Sequence, residues 1–236
     1  DRVQQAAYLL IPGTERAFTH LKIGNLLLKN TPKEAQEGQL FIIVNHLNLG
    51  RKLINQPQQK EQLAQLNYQA GKIAKQATAY PAAFNYFVTG IELLNPDCWQ
   101  KSYDFTLNLF IATAESAYLC SNFDQMDELF NAILKQADTL LDRVKAYEVK
   151  IQALIAQGKP AEAVKTALIV LNWLGINFPL KPNKLRILLS LIKTKFNLIG
   201  NKIEDLINLP QISNSKIVAA GRIMMIVGSS AYSAAV

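Results

Sequence analysis

Two histidines, two cysteines and one tight group of carboxylates are the side chains in this 236-residue chain with the best claim to chemistry. His20 and His46 stand far apart in sequence, outside any HExxH or Cys/His cluster, so a metal on either would need carboxylates that no spacing identifies. His46, in IVNHLNLG, is expected to be a helix residue partly buried against a neighbour, because no partner for a ligand or phospho-acceptor role stands near it. Cys98 and Cys120 form no CxxC and share no His spacing. Neither a disulfide framework nor zinc is expected of them, and a reducing cytoplasm fits best. Asp124, Asp127 and Glu128, in FDQMDEL, fall at a helix start, where each carboxylate stabilises free N–H groups by about 0.3–1 kcal/mol. That role is preferred to an acid–base pair, since no concave site or acid partner is indicated.

Nucleotide chemistry fares no better. A phosphate-binding loop needs GxxxxGK[ST], so that backbone amides and a Lys converge on phosphate oxygens; QGKPAE lacks the first Gly and the hydroxyl residue. A protein kinase's Gly-rich loop, catalytic Asp and DFG are all missing. Catalytic, cofactor-binding and metal residues are therefore expected to be none in this segment, which is read as no enzyme.

Composition narrows the class further. Half the residues are apolar, enough for one large domain or a continuous repeat array. The 25 basic and 18 acidic residues leave +7, but the Lys and Arg are scattered and form no basic block, so no nucleic acid is expected as a partner. The longest uncharged apolar run, IMMIVGSSAYSAAV from Ile223, falls short of the roughly 20 residues a spanning helix needs. A buried helix face is expected there, with no membrane span, and no signal peptide is visible. Both ends run straight into apolar helical pattern without a polar cap, which leads us to expect a piece of a longer polypeptide.

The elements that must position these residues are helices almost everywhere. Apolar residues recur at i, i+3, i+4, i+7 and alternate nowhere for long, giving helices at 2–10, 15–29, 34–55, 58–78, 81–94, 98–119, 123–137, 140–156, 160–174, 183–199, 202–207 and 214–234. Pro32, Pro81 and Pro160 suit first turns, and Asp97 and Asn183 suit N-caps. Aromatic residues Tyr68, Tyr80, Phe84, Tyr86, Phe87, Tyr103, Phe105, Phe110, Tyr118 and Phe123 are assigned mostly to apolar faces. A helix pair repeats: the frame holding Tyr147 and Ala163 recurs 37 residues earlier with Phe110, Ala114, Ala117 and Met126, and 43 earlier again with Gly71, Ala74 and Ala83. Such pairs predict an all-α, tetratricopeptide-like α-α superhelix of degenerate hairpin repeats, although the full motif is met in no copy. The organisation expected is a helical segment over 1–60, three helix pairs over 61–180, and further helices of the same array over 181–236.

Particular strings add a resemblance. DRVQQAAYLLIP, HLKIGNLLLKNT, FIIVNHLNLG, AGKIAKQATAY, FVTGIELL, AESAYLCSNFDQM, LLDRVKAYEVKIQALIAQGK, LGINFPLKP and IEDLINLP occur in an order that resembles the helical middle region of very large bacterial signalling proteins. Those combine a serine/threonine kinase, an AAA or predictor ATPase, a tetratricopeptide-like region, a GAF sensor and often a histidine kinase. The resemblance implies that residues 1–60 follow the ATPase module and that ATP and Mg belong to the parent, outside this segment. It further implies a relay between ATPase or sensor and kinase domains, with other domains of the same polypeptide and a protein or small-molecule inducer as partners. This chain departs from the family at Ser121-Asn122, usually Gly-Asp, at His46, usually Gln, and at Ile212, usually Met. The alternative is a free-standing adaptor that binds peptides or small effectors in its groove.

Overall fold

A computed structural model of the chain describes residues 11–178, 184–198 and 212–234. The helices expected at 2–10 and 202–207, and the cap expected at Asn183, lie outside the described residues. Among those described, the chain is helical and has no strand: α1 (Gly13–Asn30), α2 (Lys33–Leu49), a 3₁₀ turn (Arg51–Leu53), α3 (Pro57–Gln76), α4 (Tyr80–Glu92), α5 (Cys98–Lys101), α6 (Tyr103–Leu119), α7 (Phe123–Gln136), α8 (Leu140–Ala156), α9 (Pro160–Trp173), α10 (Lys184–Leu198) and α11 (Ser215–Ala234). Two compact units divide the chain, residues 1–136 and 137–236.

Helical hairpins are the building blocks. In the first unit α1 packs on α2, α3 on α4, and α6 on α7, while α4 also packs on α6. In the second, α8 and α9 form a hairpin and α11 packs against both. The spacing-matched small residues sit at the seams: Ala74, Ala83, Ala114, Ala117 and Ala163 are all buried, as is Met126. Small side chains let helix axes approach closely, and larger neighbours then fill the gaps.

The turn inside each of three hairpins has one geometry, and it follows the sequence repeat. After α3, α6 and α8 a residue adopts left-handed φ: Thr78 at 60°, Ser121 at 60° and Gly158 at 70°. These positions are separated by the same 43 and 37 residues that relate the repeated pairs. Each turn closes with two backbone bonds: Thr78 N–H to Lys75 O and Ala79 N–H to Ala74 O, Ser121 to Tyr118 and Asn122 to Ala117, Gly158 to Ile155 and Lys159 to Leu154. This is the Schellman closure, which satisfies the last carbonyls of a helix. Gly175, at 90°, ends α9 in the same way.

A side chain at positive φ costs roughly 1–2 kcal/mol relative to glycine. Ser121 is exposed and Thr78 is exposed, so neither recovers that cost by packing. Ser121→Gly should therefore raise stability by about 1 kcal/mol, less some loss to the greater freedom of the unfolded glycine. Thermal unfolding of the two chains would show it as an upward shift in Tm.

Two helices depart from expectation by more than a terminal residue or two, each for a local reason. The helix expected at 34–55 stops at Leu49 with Gly50 as its C-cap, a position that takes only glycine because a Cβ would overlap Leu21 and the carbonyl of Ala17. The helix expected at 98–119 breaks at Ser102, whose φ is −135° and whose hydroxyl donates to Glu61 at 2.9 Å. Asp97 occupies the N-cap position of α5 without capping it; its carboxylate accepts instead from Lys101 at 2.6 Å. Thr139 caps α8 by accepting from the Asp142 N–H at 3.2 Å, while its hydroxyl donates to the Asp142 carboxylate at 2.7 Å.

Buried aliphatic residues make up the cores. In the second unit Val144, Ile151 and Leu154 of α8 meet Val170 and Leu171 of α9 and Ile223 and Val227 of α11. The apolar run near the end of the chain thus buries one face: Ile223 is fully buried and Met225 is 84% exposed.

Candidate functional site

The α1–α2 hairpin brings the two histidines together. A link of only Thr31 and Pro32 sets the helices antiparallel, so residues far apart in sequence face one another across the seam. His20 Nδ1 lies 2.9 Å from His46 Nδ1, with ring centroids 5.0 Å apart. One Nδ1 donates and the other accepts, so the two rings hold opposite tautomers and cannot both be charged in this arrangement. Burial lowers the His46 pKa, and the charge of His20 lowers it further. As pH falls through about 6.5 the unfolded chain takes up a proton at position 46 before the folded one does. Stability is complete above that pH and declines below it until the lowered folded pKa is reached. His46→Gln should flatten this acid limb of a Tm-against-pH profile.

Polar side chains also lock the next seams of the first unit. Asn48 of α2 and Asn67 of α3 exchange two hydrogen bonds, each amide donating to the other's oxygen at 2.8 Å. The second N–H of Asn67 donates to Leu63 O at 2.9 Å, so this fully buried amide is satisfied. Tyr86 of α4 donates to Asn45 of α2 at 2.8 Å, and Lys75 of α3 pairs with Glu115 of α6 at 2.6 Å. Burial raises the phenol pKa values here: Tyr118 is pushed up to about 12, with Glu115 and Tyr80 adding to the effect, and Tyr68 rises by burial and then by Glu115. Tyr86 rises too, its bond to Asn45 opposing the shift. These hydroxyls stay protonated near neutrality, so none of them is a base, and that of Tyr86 donates to Asn45. Lys72 stands 4.9 Å over the Tyr68 ring.

A cationic hollow opens where the 3₁₀ turn meets α3. Arg51, Lys52 and Lys60 line an open cavity of about 270 Å³ together with Ile54, Asn55, Glu92 and Leu93. Arg51 is committed inside it, donating to Asn48 O at 3.2 Å and to Glu92 at 3.2 Å.

The remaining candidates stay apart. Cys98 and Cys120 are free thiols, and burial pushes the Cys120 thiol up, away from thiolate character. Asp124 lies exposed in the first turn of α7, where the Asn122 side chain accepts from the Gln125 N–H at 3.4 Å. Phe87 is fully buried, Tyr68 stacks edge-on to Phe105, and Trp99 packs on Tyr103 and Phe110. Among the described residues no group of three or more His, Cys, Asp or Glu could hold a metal ion. No described helix is long and apolar enough to cross a membrane.

In the second unit Glu148 of α8 meets Arg222 of α11 at 2.9 Å. Burial raises the Glu148 pKa although Arg222 and Lys145 pull it down. A raised carboxyl pKa means the folded state holds its proton longer, so stability falls as pH rises from the unfolded value of about 4.3 through the folded one. Glu148→Gln should thus leave stability at pH 7 equal or higher, despite deleting an ion pair, and the gain should vanish near pH 4. Paired melts at both pH values would test this.

What sequence reading missed are the seam contacts: His20 with His46, and Asn48 with Asn67. A signal existed. With helices at 13–30 and 33–49, an antiparallel hairpin puts the two histidines within about one turn of each other, and the packing of the two faces then sets the register that joins them.

Among the described residues the fold and these seams define an all-helical segment built from helical hairpins, with polar side chains joining helix to helix within each unit. No family model matches the chain, and no solved structure matches it. Over 176 aligned residues it is 27% identical to "Hybrid signal transduction histidine kinase G" of Dictyostelium discoideum. That alignment covers 64% of this chain and 5% of the kinase, so the chain spans a small part of that protein's length. A relationship to signalling proteins is supported at this level.

Proposed function

We propose that this chain is a non-catalytic α-helical segment of a multidomain, ATP-binding signal-transduction kinase, relaying between an ATPase or sensor domain and a kinase domain. The observation that carries the reading is the similarity to a hybrid histidine kinase over most of a helical segment that amounts to only 5% of the kinase. Within the first unit the α3–α4 and α6–α7 hairpins share the α4–α6 seam, a contact through which a displacement can pass. ATP and Mg bind outside this chain in this reading, and a protein or small-molecule inducer engages the helical surface. The chain then works in the cytoplasm, on the same polypeptide as its partner domains.

The test is made in the full parent polypeptide. Its reading frame should carry GxxxxGK[ST] before this segment and a histidine kinase domain after it. Asn67→Leu in that parent, which strips the α2–α3 seam of its paired amides, should keep basal autophosphorylation and abolish its response to the inducing signal. A parent with no kinase domain, or one whose response survives the loosened α2–α3 seam, would overturn the proposal.

A further inference from the structure

Helix α10 is the least covered element of the second unit. Every residue from Leu188 to Phe196 is exposed, including Leu188 at 53%, Leu191 at 63% and Phe196 at 68%. Solvent-facing apolar side chains this large and this close together are not ordinary surface scatter.

Helical spacing sorts them. At 100° per residue Leu188, Leu189, Leu191, Ile192 and Phe196 fall within one half of the circumference, and Ser190 and Thr194 stand opposite. The Thr194 hydroxyl turns back to Ser190 O at 3.0 Å, keeping that polar side closed on the helix itself. Lys193 flanks the apolar arc. Lys195 stands on the arc in the last turn, where a long stem can lie along apolar surface while its ammonium reaches outward. The helix sequence KLRILLSLIKTKFNL holds four basic residues and no acidic one.

Charge chooses the occupant. A second copy would set two like-charged helices face to face, and a neutral apolar groove would leave the lysines beside it without counter-charge. We propose that α10 is an interfacial anchor that lies on an anionic lipid surface, its leucines and Phe196 entering the acyl boundary and its lysines meeting lipid phosphate and carboxylate groups. A helix of 15 residues spans roughly 22 Å, less than the hydrocarbon thickness, so it lies in the interface plane and does not cross. The chain's net charge of +7 adds long-range attraction to such a surface.

The experiment is sedimentation of the 236-residue chain with vesicles of phosphatidylcholine alone or mixed with phosphatidylserine. Partitioning onto the anionic vesicles should exceed that onto neutral ones by roughly tenfold or more and should fall steeply with salt. The charge-reversed variant, Lys193→Glu with Lys195→Glu, should lose the preference for anionic lipid. The variant with Leu191→Ser and Phe196→Ser should lose binding to both, with far-UV circular dichroism unchanged because these side chains support no core. No pelleting with either vesicle would overturn the proposal and leave a protein groove as the cover. Equal binding to both compositions, or charge reversal without effect, would overturn it as well.

Discussion

Phe87→Ala should lower the stability of the first unit by about 3–5 kcal/mol, the cost of removing a fully buried ring and leaving a cavity. Phe87 of α4 stands in a buried cluster with Leu109 and with Ala74, Ala83 and Ala112, whose small side chains cannot fill the space its ring would leave. Its ring rests directly on Gly71 of α3: a Cβ there would overlap three ring atoms. Gly71→Ala should accordingly cost about 1–3 kcal/mol by overpacking, against a helix-propensity gain of about 1 kcal/mol. The two substitutions compete for one volume, which makes the double variant informative. Once Phe87→Ala has removed the ring, the added methyl at position 71 enters empty space, and Gly71→Ala should become neutral or stabilising. Denaturant unfolding of the four chains gives the coupling energy; additive effects would mean that the ring does not sit on Gly71.

Removing one member of the Asn48–Asn67 pair should be the next most costly change. Asn67→Leu deletes three hydrogen bonds at a fully buried position and leaves the half-buried Asn48 amide without its protein partner, at a cost of about 1–3 kcal/mol. Replacing both asparagines with leucine removes the stranded group, so the double variant should be more stable than Asn67→Leu alone. The same cycle, read by chemical denaturation, separates the penalty of an orphaned amide from the net worth of the pair. A double variant no better than the single would show that the amides hold the seam by shape and not by polarity.

The repeat frame was legible because it is written in small residues: Gly71, Ala74, Ala83, Ala114, Ala117 and Ala163 stand where helices touch, and spacing alone found them. Turn geometry was half legible. Gly158 announces a left-handed turn in the letters, whereas Thr78 and Ser121 adopt the same φ without a glycine to mark it. The break at Ser102 was invisible, since it goes with a bond to Glu61 of another helix, whereas Gly50 carried the ordinary glycine stop signal, which the long apolar pattern around it masked.

By itself, then, the sequence determined the helices, their hairpin pairing and the want of a motif for catalysis, because helical period, turn residues and motif spacing are properties of neighbours along the chain. Only the tertiary structure decided which polar groups meet. His20 reaches His46 and Asn48 reaches Asn67 because two antiparallel helices share a register, and register is fixed by the packing of whole faces, which no single residue encodes. It also decided which apolar face stays open: α10 and α11 both carry closely spaced large apolar residues, yet α11 buries Ile223 and Val227 between two helices while the leucines of α10 face solvent.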